Sequence, residues 1–224
     1  MRGIPSLTLS LSNRRVTATR RRRKNLTNIP ISRYLTFVPQ ERAAATRAKL
    51  VETGSDLIRR KGFIATRIVD VCEVASVTKG AFFHHFKTKE ELAEACLIEW
   101  SRKTSEMLAR APFQKETDPT RRVLGCIDFL IELFDSPQTL KSCLVGTTVQ
   151  EVSETHPELR STAGRCFAQM KDRLKAMLDE ACRSTGKRLD TGSLADLWIA
   201  TLQGSLILYW GFYWREVYHA APLI

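Results

Sequence analysis

The sequence predicts an all-α protein, and three observations support this fold class. Apolar residues recur at helical spacing along most of the 224-residue chain, and few of them alternate with the period of two that a strand requires. Ser/Thr caps, a glycine stop and Ser-Pro or His-Pro pairs divide this pattern into separate helices. Hydrophobic residues make up 43% of the chain, which is enough for a folded core and argues against general disorder.

Positive charge is concentrated at the N-terminal end. Residues 1–40 contain nine basic residues and no acidic residue, and we predict a disordered basic arm there or a start codon assigned too far upstream. An Arg- and Ser/Thr-rich transit peptide is an alternative for the same stretch. Residues 42–89 carry ten Lys/Arg against four Asp/Glu, whereas residues 101–224 are nearly neutral. This distribution indicates an anionic partner for the N-terminal end only.

The first two helices of a helix-turn-helix module follow the arm. Residues 42–61 are predicted as a helix that stops at Lys61-Gly62, since glycine is common just beyond a helix C-terminus. Thr66 is predicted to cap a short second helix. The apolar residues that share one face of this second helix are Ile68, Val71, Cys72 and Ala75.

The third helix supplies the outer surface of the module. It follows a tight connection at Ser76, is predicted to be capped by Thr78 and ends near His85. Phe82 and Phe86 stand four residues apart, so both can enter the core of the module. The residues left on its outward face are Lys79, Ala81, Phe83 and His84. A face this small and cationic fits a DNA major groove, which is about 12 Å wide.

Longer helices are predicted in the rest of the chain. Thr88 and Glu91 form a capping box that starts a helix reaching to about residue 107. The further helices are expected at 121–135, 139–154, 158–182 and 193–210. An almost heptad apolar seam along 158–182 and the strongly apolar helix at 193–210 suit a four-helix interface between two chains. Residues 197–214 are uncharged, but polar residues interrupt them, which favours a buried interface helix over a membrane span.

The sequence predicts neither an enzyme nor a metal protein. It contains no Gly-rich phosphate loop, no G-x-S-x-G and no H-E-x-x-H, so we expect no catalytic residues and no cofactor. His84 and His85 are adjacent, and their side chains diverge by about 100° on a helix, so they cannot chelate one metal ion. The six cysteines lie at least 16 residues apart, which favours buried thiols in a reducing compartment.

The stretch GFIATRIVDVCEVASVTKGAFFHHFKTKEEL, residues 62–92, resembles the DNA-binding signature of the TetR/AcrR family of bacterial transcriptional regulators. Residues 142–160 and 195–208 are similar to the ligand-binding region of one subgroup of that family. The resemblance differs at two positions. Phe83 stands where tyrosine is common, and Ser76 stands where a turn glycine is usual.

The resemblance implies a cytoplasmic, nucleoid-associated homodimer that binds double-stranded operator DNA, represses transcription and releases the operator when a small-molecule effector fills its C-terminal domain. The implied domains are a helix-turn-helix DNA-binding domain at 41–90 and an effector-binding and dimerisation domain at 91–224, with the dimer formed by helices at about 158–182 and 193–210. An alternative is a nonspecific nucleic-acid-binding protein that acts through its basic arm and has a degenerate helix-turn-helix.

Two sets of site residues follow. The DNA-facing positions carried over by the resemblance are Thr66, Arg67, Thr78, Lys79, Gly80, Ala81, Phe83, His84 and Lys89. The candidates for the wall of an effector pocket are Trp100, Phe129, Cys143, Gln150 and Trp198.

Overall fold

The fold class is confirmed: a computed structural model shows only helices, turns and loops among the residues it describes, which are 31–136 and 142–220. Side chains are described for residues 40–136 and 142–209. The α-helices are α1 Ile31–Lys61, α2 Ile68–Ala75, α3 Lys79–His85, α4 Lys89–Arg110, α5 Pro119–Asp135, α6 Leu144–Val152, α7 Pro157–Thr185 and α8 Thr191–Ala220. A short 3₁₀ helix, Pro112–Lys115, joins α4 to α5.

The predicted disordered arm needs a correction at its C-terminal end. Residues 31–40 are helical, because α1 begins at Ile31 and not near residue 42. Residues 1–30 of the predicted arm lie outside the described residues, as does the first part of the helix predicted from residue 139. The residues from Glu41 onward form one compact unit, separate from the preceding residues.

Helices α1 to α3 pack around a small apolar core, as the sequence predicted. Phe82 is fully buried and Phe86 is almost so, and both rings lie together with their centroids 5.9 Å apart. Burial of these two rings on the inner side of α3 leaves its outer side without any role in the core. This core is continuous with that of the following helices, and its other buried residues in the α1–α3 part include Leu50, Val51, Ile58, Phe63, Val71, Cys72 and Ala75.

The predicted cap of α2 is wrong by one residue. Arg67 is the N-cap, and its backbone N–H donates to the Asp70 carboxylate 3.2 Å away. Thr66 is buried, and its hydroxyl donates to the Gly62 carbonyl oxygen at 2.6 Å. The cause is the left-handed turn at Gly62, with φ +87°, which folds the chain back so that Thr66 closes the corner between α1 and α2.

Helix α7 is the centre of the C-terminal part, where it packs against α4, α5, α6 and α8. Its predicted apolar seam faces these helices of the same chain: Leu159, Ala163, Cys166 and Leu174 are all buried. These four seam residues are therefore buried within the chain itself and are not available to a second chain. Periodic apolar residues identify the buried face of a helix but not the chain that buries it.

Helix α8 is the apolar helix that approached the length of a membrane span. Among the described helices none is long and apolar enough to cross a membrane. Ala195 and Leu206 are buried, whereas Leu197, Ile207 and Leu208 are more than half exposed. The described part of α8 therefore has one face in the core of the chain and a second apolar face on its surface.

Candidate DNA-binding surface and effector cavity

Helix α3 starts at a well-formed cap. The Thr78 hydroxyl oxygen accepts a hydrogen bond from the Ala81 backbone N–H at 3.1 Å. This cap fixes the first turn of α3, and the first two residues of the helix, Lys79 and Gly80, are exposed. Ala81 is half-buried, so only part of its methyl group reaches the surface.

The outer side of α3 carries an aromatic ring and an imidazole. Phe83 is 52% exposed and lies edge-on to the buried Phe82 ring, with 5.3 Å between centroids. His84 is exposed, and its ring meets that of His85 edge-on at 5.0 Å. Burial lowers the pKa of His85, and repulsion from His84 and Arg47 lowers it further, so His85 stays neutral at pH 7. The surface of α3 thus combines cationic, polar and apolar groups.

Arg67 lies at the start of α2, and the carboxylate of Asp70 partly compensates its charge. Its guanidinium donates from Nε and Nη2 to one Asp70 carboxylate oxygen, at 2.9 and 2.6 Å. Lys61 bonds to the other carboxylate oxygen. The hydrogen bonds from Arg67, and then those from Lys61, hold the pKa of Asp70 well below its usual range. Asp70 therefore remains ionised and fixes the position of Arg67.

Two of the nine predicted DNA-facing side chains turn inward. Thr66 is buried at the α1–α2 corner. The Lys89 ammonium donates to the carbonyl oxygens of Phe63 and Ile64, at 3.0 and 3.4 Å, and stands 4.1 Å from the centroid of the Phe63 ring. The amine thus joins the start of α4 to the turn between α1 and α2. The residues that remain near the surface are Arg67, Thr78, Lys79, Gly80, Ala81, Phe83 and His84.

A cavity of about 930 Å³ lies among helices α4 to α8. Three of the five predicted pocket residues, Trp100, Cys143 and Trp198, line it. Phe129 lies outside the wall, where it packs against Phe113 with 5.8 Å between ring centroids. Gln150 is exposed on α6 and also lies outside the wall. The volume is in the range of small-molecule sites, which span about 300–1,000 Å³.

Arg59 brings a charge from α1 to the edge of this cavity. Its guanidinium donates to the Ser142 carbonyl oxygen from Nε at 3.2 Å and from Nη2 at 2.9 Å. Its central carbon stands 4.3 Å from the centroid of the Trp100 indole. Burial lowers the pKa of Arg59, but a guanidinium stays protonated in a protein. This residue connects the DNA-binding helices to the wall of the cavity, and the sequence alone did not indicate it.

A second connection was also missed from the sequence. The Glu151 carboxylate, at the end of α6, accepts a hydrogen bond from the Ile64 backbone N–H at 2.8 Å. It lies so near Gly62 that a Cβ at that position would stand 1.8 Å from its Oε1 atom. His156 adds an edge-on ring contact to Phe63, with 5.2 Å between centroids. Helix α6 thus reaches from the cavity wall to the turn between α1 and α2.

Three buried cysteines, Cys126, Cys143 and Cys166, belong to the wall of the cavity. Burial raises the pKa of Cys96 and that of Cys126 to about 11, so both thiols remain protonated and unreactive at neutral pH. Among the described residues, no three His, Cys, Asp or Glu side chains stand together as a metal site.

Comparison with known proteins identifies both parts of the chain. Residues 50–96 match the family described as "Bacterial regulatory proteins, tetR family", and residues 119–209 match "Tetracyclin repressor-like, C-terminal domain". The HTH-type transcriptional repressor DhaR of Mycobacterium sp. strain GP1 is 26% identical over 163 residues, which cover 72% of this chain and 80% of that protein. The HTH-type transcriptional regulator TtgR of Pseudomonas putida is 36% identical over 98 residues, 43% of this chain and 44% of its own length.

Solved structures agree in fold. The reduced form of NemR from Escherichia coli has a TM-score of 0.66 at 23% identity, with 74% of this chain and 86% of that chain covered. A TetR-family regulator from Agrobacterium tumefaciens has a TM-score of 0.66 at 16% identity, with 75% and 88% covered. With the two family matches, the helix-turn-helix and the cavity-bearing helical domain, these findings show that the chain belongs to the TetR family of bacterial transcriptional regulators.

Proposed function

We propose that the protein is a transcriptional repressor that binds near-palindromic operator DNA as a homodimer and releases it when a small molecule fills its cavity. The observation that carries this proposal is the division of α3 into two sides. Phe82 forms part of the core, while Lys79, Phe83 and His84 are exposed on the other side of a capped helix. A helix presented in this way fits the major groove. Repression is also the activity named for the relative DhaR.

Each exposed group has a role that its chemistry allows. Lys79 and Arg67 can donate to base edges or to nearby phosphates, and the Ala81 methyl can contact a thymine methyl. Thr78, Gly80 and His84 are exposed on or beside α3, and we propose that they contact the phosphates of the DNA backbone. Phe83 offers only apolar contact, because it lacks the hydroxyl that would bond a phosphate.

The homodimer is proposed to form through α7 and α8, on the faces that the core of the chain does not use. Leu197 and Leu208 are exposed apolar side chains on α8, and Gly164 and Ala168 are small exposed residues on α7. Small residues let two helices approach closely, and exposed leucines supply apolar area to bury. A two-fold axis there would present two copies of α3 to two half-sites of one operator.

Release is proposed to pass through α6. Cys143 and Val145, at its N-terminal end, line the cavity, and Glu151, at its other end, holds the Ile64 N–H. A molecule that binds better when α6 is displaced would change the position of the α1–α2 turn, and with it the fit of α3 to DNA. Such a molecule shifts the population from the DNA-competent to the incompetent arrangement.

A deletion tests this function against binding through the basic arm. Removal of residues 1–30 leaves α1 to α8 complete. Fluorescence anisotropy should show that the shortened chain still prefers the DNA upstream of its own gene over a shuffled duplex. Loss of all DNA binding on deletion would instead favour the nonspecific protein that acts through its arm.

A further inference from the structure

The Gln203 side chain presents an unused hydrogen-bond donor at the cavity wall. Gln203 lies on α8 and lines the cavity. Its Nε2 atom is buried and finds no acceptor within the part of the chain that the structure describes. A buried amide N–H₂ without a partner is costly, and proteins seldom leave one so unless a ligand or water completes it.

The amide is held in place from its other side. A Cβ added at Gly146, in the first turn of α6, would stand 2.2 Å from Oε1 of Gln203. The glycine therefore makes room for this amide, and a larger residue would displace it. Because Oε1 rests against α6, Nε2 has a defined position from which to donate a hydrogen bond.

The rest of the wall is mostly apolar, and its charged groups are either paired or, as for Lys103 and Arg173, exposed to solvent. Of the carboxylates that reach it, Glu180 pairs with Arg122 at 2.8 Å, and Glu106 pairs with Arg102. The described wall thus offers no unpaired carboxylate to a cationic ligand. The side chains that supply apolar surface include Trp100, Leu130, Met170, Leu174, Trp198 and Leu206.

We propose that the cavity takes a neutral and largely apolar molecule that carries a carbonyl-type acceptor, and that Gln203 Nε2 donates a hydrogen bond to this acceptor. The inference rests on the proposed function, because it names the chemical class of the effector. A buried amide donor raises the affinity for a ligand that has an acceptor at one position, and the apolar wall raises the affinity for a ligand with a hydrophobic body. A cavity of about 930 Å³ has room for a molecule with two or more rings.

The same residue gives the effector a path to the DNA-binding helices. An acceptor bound to Nε2 pulls on an amide that contacts α6 at Gly146, and Glu151, in the last turn of α6, accepts a hydrogen bond from the α1–α2 turn. A purely hydrocarbon occupant fills the cavity without engaging this amide. The acceptor is therefore what joins occupancy of the cavity to movement of α6.

The test compares 2-acetylnaphthalene with 2-ethylnaphthalene, which have nearly the same shape and differ in the carbonyl group. Calorimetric titration of the full chain should show the ketone bound at least about fivefold more tightly, as one hydrogen bond predicts. In Gln203→Leu this preference should disappear, while the affinity for 2-ethylnaphthalene stays the same or rises. Gln150→Leu changes an exposed glutamine outside the wall and should keep the preference.

Equal affinity for both compounds in the unaltered protein, failure of both to bind up to their solubility limits, or a preference that survives in Gln203→Leu would overturn the inference. Gln203→Met replaces Gln203→Leu if the latter fails to fold. Operator binding is measured in the same samples. If the ketone is preferred through Gln203 but does not release the operator, the proposed release step is contradicted and the proposed ligand class is kept. If 2-ethylnaphthalene alone releases the operator, the ligand class is contradicted and the release step is kept.

Discussion

The Glu151 carboxylate accepts a hydrogen bond from the Ile64 backbone N–H at 2.8 Å, although 87 residues separate the two along the chain. Glu151 belongs to the helix that starts at the cavity, and Ile64 belongs to the turn that leads into α2. One side chain thus links the ligand-binding and DNA-binding parts of the same unit. Allosteric control requires a contact whose geometry differs between two states, and this hydrogen bond is the candidate.

Glu151→Ala should loosen the α1–α2 turn. Loss of one hydrogen bond to the Ile64 N–H should speed hydrogen exchange of residues 62–66 by about three- to tenfold. Exchange measured by mass spectrometry tests this. Glu154→Ala removes an exposed carboxylate three residues further on and serves as the control. Unchanged exchange in Glu151→Ala would mean that the turn is held by other contacts.

Gly62→Ala should destabilise the protein. An alanine at φ +87° costs about 1–2 kcal/mol, and its Cβ would also collide with Glu151. Urea unfolding should therefore show a loss of at least that size. Gly186→Ala is the matched control, because Gly186 also has a positive φ, +67°, but no atom lies near its missing Cβ, so it should lose only the backbone strain of about 1–2 kcal/mol. In the double variant Gly62→Ala/Glu151→Ala, the loss of unfolding free energy that comes from the collision should be recovered, and the loss that comes from backbone strain should remain.

Ser76→Gly should stabilise the helix-turn-helix. Ser76 ends α2 in the left-handed region, with φ 52° and ψ 46°, and is the only described non-glycine residue with positive φ. The strain of about 1–2 kcal/mol exceeds the entropy cost of glycine, about 0.5–1 kcal/mol, so the net gain should be about 0.5–1 kcal/mol. Urea midpoints measure it. A loss of stability would show that the serine side chain contributes more than its backbone costs.

Lys79→Ala should weaken operator binding by about ten- to hundredfold, since the proposed dimer would lose two cationic contacts. If Lys79 contacts phosphate, the slope of log affinity against log salt should also fall by about two per dimer. Anisotropy titrations at several salt concentrations distinguish a contact to phosphate, which changes the slope, from a contact to a base edge, which does not. Lys187→Ala, in the exposed loop between α7 and α8, is the control and should change neither quantity.

Local features of the fold were predictable from the sequence. The i, i+4 spacing of Phe82 and Phe86 identified the core side of α3, and the Thr78 cap identified its start, because both depend on neighbouring residues. Thr66 was misassigned because its hydroxyl bonds the carbonyl oxygen of Gly62 and does not cap α2. The left-handed turn at Gly62 that allows this bond cannot be predicted from residue spacing.

Contacts between distant segments were not predictable. Lys89 reads as a surface lysine at a helix start, yet its amine bonds carbonyl groups 25 and 26 residues earlier. Glu151 and Gln203 have ordinary helical surroundings in the sequence, and only the packing of α6 shows what they meet. The apolar seam of α7 correctly predicted a helix, but the partner of that seam is decided by tertiary packing.

The most direct test of the central claim is an anisotropy titration of the full chain on DNA from upstream of its own gene and on a shuffled duplex, at near-physiological salt. A specific regulator should prefer the upstream DNA by about a thousandfold or more. Equal affinity for both duplexes, with the same steep dependence on salt, would contradict the account and show that charge alone binds the DNA.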